Sequence, residues 1–131
     1  MDALCVDHKA FETRESFEEK LYEVLSQYEP DLIVLAGFMR ILTAGFVDRF
    51  EGKILNIHPA LLPSFKGLDT HQRAIDAGVR MAGTTVHFVT AAFDGGAIIA
   101  QAAVPVFPSD DAHRLAHRGV VSALQTYTRA V

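Results

Sequence analysis

Apolar residues recur along this chain with two different periods, and the changes of period mark out its elements. Phe17, Leu21, Val24, Leu25 and Tyr28 fall at i, i+4, i+7, i+8 and i+11, one face of a 3.6-residue helix. This predicts a helix over 14–28, capped by Thr13 or Ser16 and closed by Pro30. Glu15, Glu18, Glu19 and Lys20 lie largely off the stripe and are expected on a solvated face. Asp31 to Gly37 and Lys53 to His58 are apolar-rich runs without alternation, the pattern of strands buried on both faces. A brief strand is expected at Ala3 to Val6, and a short helix over 43–50 with Thr43 as cap and Gly52 as stop.

The stretch from His58 to Thr70 holds Pro59, Pro63 and Gly67 but also Leu61, Leu62 and Phe65, which predicts a long ordered loop. Such loops, at the carboxyl ends of strands, are where open α/β sheets hold ligands. A short helix over 71–77 follows, ended by Gly78. Gly83 to Val89 and Ala97 to Val104 read as strands, joined by a turn over Thr90 to Gly96 that closes on Asp94-Gly95-Gly96, so they are expected to pair antiparallel. Pro105 and Pro108 stop the second strand, and a last helix is expected over 110–127. The alternation of helices and strands indicates an α/β fold with crossover connections.

Composition narrows the class without naming a chemistry. The 131 residues suit a single domain over 1–131. Lys and Arg number 12 against 16 Asp and Glu, a net charge of −4, with no basic run to attract nucleic acid. The longest apolar stretches, such as Leu32 to Gly37, are far too short to span a membrane. The first residues lack the basic-then-apolar layout of a secretory signal. A single cysteine, Cys5, leaves no internal disulfide and fits a cytoplasmic protein.

Three polar residues stand where chemistry is expected. Asn56 and His58 are two apart on one predicted strand, so they point to the same face at its carboxyl end. Asp94 sits in the Gly-rich turn. An amide, an imidazole and a carboxylate suit acyl transfer to an amine, which needs donors for a developing oxyanion and a group that relays a proton near neutral pH. No strand-to-helix elbow surrounds a Ser, and Cys5 has no local signature pairing it with His58, so direct transfer is favoured over a covalent intermediate. His58, His71 and His87 lack ligand spacing, so no metal is expected. Taken singly, each residue also fits a structural role: Asn56 as a strand-end cap, His58 as a buried hydrogen-bonding His, Asp94-Gly95 as a turn dipeptide.

Their context is more specific. The strings Leu35-Ala-Gly-Phe-Met-Arg-Ile-Leu42, Asn56-Ile-His-Pro-Ala-Leu-Leu-Pro63, Gly83-Thr-Thr-Val-His-Phe-Val-Thr90 and Asp94-Gly-Gly-Ala-Ile-Ile-Ala-Gln101 closely resemble glycinamide ribonucleotide (GAR) formyltransferase, a folate-dependent enzyme of purine synthesis. The resemblance runs from about residue 3 to about residue 118. Methionyl-tRNA formyltransferase shares the Asn-x-His-Pro motif, but Lys66 to His71 is similar to the purine enzyme. Formyltetrahydrofolate deformylase typically shows a second His where this chain has Pro59.

The resemblance implies a Rossmann-like formyltransferase fold, a mostly parallel sheet with an antiparallel strand pair. It implies 10-formyltetrahydrofolate as co-substrate and GAR as acceptor. Within it, Asn56, His58 and Asp94 match the catalytic trio: His58 as general acid and oxyanion donor, Asn56 as donor to the formyl oxygen, Asp94 holding His58 protonated. Met39, Arg40, Ile41 and Leu42 match the folate pocket, Thr90, Ala91, Ala92, Phe93 and Asp94 the loop over the pteridine, and Arg14 a ligand-contacting arginine. The apolar side chains of Phe38, Met39, Ile41 and Leu42 suit a flat heterocycle.

Two departures shape the expectations. The family's first two strands and its Gly-rich phosphate loop have no counterpart here, so the chain is expected to be the folate-binding and catalytic portion of a larger unit. The strand at Leu32 to Ala36 is then expected to show a bare edge open to self-association. At the other end Ala123 replaces a Glu that contacts the nucleotide in the family, and Thr128 stands where the family has Pro. Formyl transfer to GAR is therefore the reading the sequence favours. The alternatives are an inactive or partner-dependent folate-binding fragment and, second, a deformylase.

Overall fold

The structure, a computed structural model, describes residues 2–130. Helix α1 spans Arg14–Tyr28, and Thr13 and Ser16 close a capping box in which each side chain satisfies the other's backbone N–H. Glu29 ends it in the left-handed conformation, just before Pro30. Strand β1 (Ile33–Leu35), helix α2 (Ala44–Arg49), strand β2 (Ile54–His58) and helix α3 (Thr70–Asp76) follow. Strands β3 (Met81–Phe88) and β4 (Ile98–Pro105) and helix α4 (Ala112–Ala130) complete the chain.

The strands form one sheet in the order β1-β2-β3-β4. Strand β1 runs parallel to β2, with Leu35 opposite Asn56. Strands β3 and β4 pair antiparallel as the Gly-rich turn requires, and β2 and β3 also pair antiparallel, with Asn56 opposite His87 and His58 opposite Thr85. The α/β class and the mixed sheet match expectation, with a larger antiparallel share than one hairpin supplies.

Side-chain alternation divides the core between the two faces of this sheet. Ile54 joins Phe46 and Phe50 of the α2 segment, with Leu21, Tyr22 and Leu25 of α1 packed around them. On the other face Val104 of β4 meets Ala74 of α3 and Leu115 of α4. Asn56 and His58 share the face of Ile54, so they continue the α1–α2 layer toward the carboxyl end of β2.

Three expectations change. Residues Ala3 to Val6 form no strand: among the described residues no neighbour offers them a ladder, and an isolated strand has no partner for its backbone groups. The strand expected from Asp31 to Gly37 contracts to Ile33–Leu35 and is not buried on both faces. Its place at the edge of the sheet agrees with the bare edge expected for it, and Val34 remains 44 % exposed because α4 packs on β3 and β4 rather than on β1. Glu18, assigned to the solvated face of α1, is only 4 % exposed. Its carboxylate accepts from the Thr43 backbone N–H at 2.8 Å and from the Thr43 hydroxyl.

Candidate functional site

A cavity of about 690 Å³ opens at the carboxyl ends of β1 and β2, within the size range of small-molecule sites. Its lining includes the segment 35–42 after β1, Asn56 and His58 at the end of β2, His87 at the end of β3 and the turn 89–94. Helix α4 adds Ala116, Gly119, Val120, Ala123 and Leu124, an apolar wall. The exposed side chains of Met39, Ile41, Leu68 and Phe93 stand around the same space.

The polar groups gather at one point of this apolar surface. His58 is 4 % exposed, its Nε2–H donates to the Phe65 carbonyl at 2.8 Å, and its Nδ1 lies 3.7 Å from Asp94 Oδ2. Both ring nitrogens thus face oxygens, at 2.8 and 3.7 Å. The gap to Asp94 is just beyond hydrogen-bond range, so the two groups are neighbours of opposite polarity without a direct hydrogen bond.

Asp94 is held from the opposite side, where its Oδ2 accepts from the Gly67 N–H at 2.9 Å. Its own backbone sits at φ +46°, a conformation that Asp tolerates better than most residues. The turn behind it depends on Gly96, where a Cβ would lie 1.7 Å from the Phe88 carbonyl oxygen.

Histidine 87 completes the cluster, and sequence reasoning weighed it only as a metal ligand. Its Nδ1–H donates to the Phe88 carbonyl at 3.0 Å, so in the neutral ring Nε2 is the acceptor. That nitrogen lies 3.4 Å from Asn56 Nδ2 and 4.0 Å from Asp94 Oδ1. One amide hydrogen of Asn56 is thereby directed at His87, and the other is left for the cavity. The available signal was a buried His two positions after Thr85 in a strand facing Asn56, readable only once the β2–β3 register is known.

The loop over 59–69 is ordered by side chains of β3, β4 and α3 that bond its backbone. Thr85 donates to the Ala60 carbonyl at 2.7 Å and accepts from the Leu62 N–H at 3.0 Å, and Gln101 Nε2 donates to the Leu62 carbonyl at 3.0 Å. Arg73 Nη1 donates to the carbonyls of Lys66 and Leu68 at 2.6 and 3.1 Å. These bonds bring Phe65 and Gly67 to His58 and Asp94. His71 of α3 also lines the cavity, and burial pushes its imidazole below the ordinary value.

The cavity therefore brings together Met39, Arg40, Ile41, Leu42, Asn56, His58, Thr90, Ala91, Ala92, Phe93 and Asp94. Arg14 is not among its lining: it occupies the first position of α1, exposed to solvent. Ala123 does line the cavity, as part of the apolar α4 wall. Among the described residues no three His, Cys, Asp or Glu side chains form a group that could hold a metal ion, and no helix is long and apolar enough to cross a membrane.

The chain is 52 % identical over 101 residues to phosphoribosylglycinamide formyltransferase of Escherichia coli, a match covering 77 % of this chain and 48 % of that protein. It is 50 % identical over 119 residues to the enzyme of the same name from Haemophilus influenzae, covering 91 % of this chain and 56 % of that protein. Among solved structures, phosphoribosylglycinamide formyltransferase from Brucella melitensis superposes with a TM-score of 0.87 at 49 % identity, covering 95 % of this chain and 64 % of that one. The chain thus spans about half the length of these bacterial relatives. The formyl transferase family pattern matches residues 2–131, and this chain belongs to the formyl transferase family.

Proposed function

We propose that this chain is the folate-binding and catalytic portion of a phosphoribosylglycinamide formyltransferase, acting in the cytoplasm. It would move the formyl group of 10-formyltetrahydrofolate to the amine of glycinamide ribonucleotide by direct transfer. The observation that carries the reading is the convergence of Asn56, His58 and Asp94 on one point of an apolar cavity at a strand end. The names of the relatives point to the acceptor and the formyl group, and the folate donor is the one the motif resemblance implies.

In this mechanism the flat pteridine lies between the segment 38–42 and the turn 90–94, excluding water from the reacting centre. The acceptor amine attacks the formyl carbon, and the carbonyl π-pair moves onto oxygen. The free Asn56 amide hydrogen and His58 Nδ1–H stabilise that oxyanion, a contribution typically larger than any other single effect. Asp94, 3.7 Å from Nδ1, orients the ring. Collapse of the tetrahedral centre breaks the bond to folate N10, and the proton lost by the amine ends on that nitrogen. His58 provides the acid for this transfer, and the products are formylated ribonucleotide and tetrahydrofolate.

Turnover of 10-formyltetrahydrofolate and glycinamide ribonucleotide by the purified chain tests the reading. His58→Ala is expected to lower kcat/KM by about 10²- to 10⁴-fold while the protein still binds tetrahydrofolate. Folate binding with no turnover in the folded wild-type chain would replace this reading with that of a partner-dependent folate-binding unit. Release of formate at an equal rate without the amine would replace it with deformylation.

A further inference from the structure

The cavity wall formed by residues 36–42 has no regular secondary structure, yet it must hold a fixed shape to receive a rigid heterocycle. It is anchored upstream by β1. Downstream it ends at Thr43, the N-cap of α2, whose hydroxyl accepts from the Phe46 N–H at 3.3 Å. Thr43 is in turn gripped by Glu18: one carboxylate oxygen takes its backbone N–H at 2.8 Å and the other takes its hydroxyl.

Helix α1 touches the wall at a second place through the adjacent residue. Phe17, 5 % exposed, lies beneath the guanidinium of Arg40 at 5.3 Å from the ring centroid. Consecutive residues of one helix therefore hold the middle and the end of the wall. Glu18 is buried with no cation in salt-bridge range among the described residues. A buried carboxylate is costly unless its oxygens are satisfied, and here Thr43 satisfies both.

We propose that Glu18 is a positioning residue for the folate wall: by clamping Thr43 it fixes the course of residues 38–42 and so sets affinity for the reduced folate. The proposal rests on the folate reading of this cavity, and it has one consequence that does not. Because the clamp acts on the wall itself, its loss releases residues 38–42 with no ligand present.

The test compares Glu18→Met, which keeps the length of the side chain but offers no acceptor, with Glu18→Gln, whose amide can still accept from the Thr43 N–H and bond its hydroxyl. Hydrogen exchange of the Thr43 backbone amide, which donates to Glu18, is measured in the free protein, with the amides of β2 and β3 as the control for global unfolding. Loss of the clamp is expected to speed exchange at Thr43 about tenfold or more in Glu18→Met, with Glu18→Gln near wild type. The dissociation constant for tetrahydrofolate and the KM for 10-formyltetrahydrofolate are expected to rise by about the same factor, kcat staying within about twofold. Unchanged exchange at Thr43 in Glu18→Met overturns the clamp, whatever the ligand. Faster exchange in a protein whose wild type does not bind tetrahydrofolate overturns the folate reading and with it the assignment of Glu18 to folate affinity. Should Glu18→Met not fold, Thr43→Ala removes the clamped hydroxyl instead. Its N–H bond to Glu18 remains, so an exchange increase of intermediate size is expected, and none would overturn the proposal.

Discussion

Thr85 shows how much of the site depends on single hydrogen bonds below it. Its hydroxyl is fully buried and joins β3 to the loop over 59–69 by donating to the Ala60 carbonyl and accepting from the Leu62 N–H and Gln101 Nε2. Thr85→Val is nearly isosteric, so its effect comes from leaving these groups unpaired. Urea unfolding is expected to show a loss of about 1–3 kcal/mol, with the loop that delivers Phe65 and Gly67 to His58 and Asp94 loosened as well. The Asn56–His58 pair was legible in the sequence because a strand has a period of two, which puts both residues on one face whatever surrounds them. His87 was not, since its place opposite Asn56 depends on the pairing register of two strands about thirty residues apart. Glu18 was misplaced for a related reason. Helical periodicity reports the side of a helix, not the presence of an acceptor-seeking cap on the next segment.

At the scale of elements, α4 is tied to the end of β4 by one compact ion pair. Arg118 donates through Nη1 and Nη2 to the two oxygens of Asp110 at 2.7 and 3.0 Å, and also to the Pro105 carbonyl at 2.6 Å. Asp110 further accepts from the Phe107 N–H at 2.7 Å. The Arg118 hydrogen bond, seconded by Phe107, holds the Asp110 carboxyl down to about 2. In the unfolded chain that carboxyl titrates near 4 (about 3.9 for an unperturbed Asp). A group whose pKa is depressed by folding stabilises the native state above the unfolded value, and the gain disappears as pH falls through the folded one. Wild type and Asp110→Asn should therefore differ most in melting temperature at pH 5–7, and converge as the pH is lowered toward about 2. Equal differences at pH 6 and pH 2.5 would show that the pair does not titrate as described. The helices themselves were readable from the sequence, since Thr13, Thr43 and Pro30 are local signals. The short span of β1 was not, because strand length is set by the neighbour that pairs with it.

For the whole molecule, one sheet separates two cores, Ile54 with Phe46 and Phe50 on one face and Leu115 with Val104 and Ala74 on the other. Ile54→Val is expected to cost about 0.5–1.5 kcal/mol and Leu115→Ala about 2–5 kcal/mol in urea unfolding. The two losses should add within about 0.5 kcal/mol in the double variant, since the clusters share no member; a larger interaction energy would mean that the sheet couples them. By itself the sequence determined the class of fold, the order of helices and strands from α1 onward, and that Asn56 and His58 share one strand face with Asp94 in a turn. Those follow from periodicity, caps and turn residues, which act over a few positions. Only the tertiary structure decided that Ala3 to Val6 stays outside the sheet, that β1 contracts to Ile33–Leu35, that Arg14 does not line the cavity, that Glu18 is buried against Thr43, and that His87 faces Asn56. Each of these depends on which distant segment occupies the neighbouring space, and burial and hydrogen-bond partners are properties of that packing rather than of local pattern.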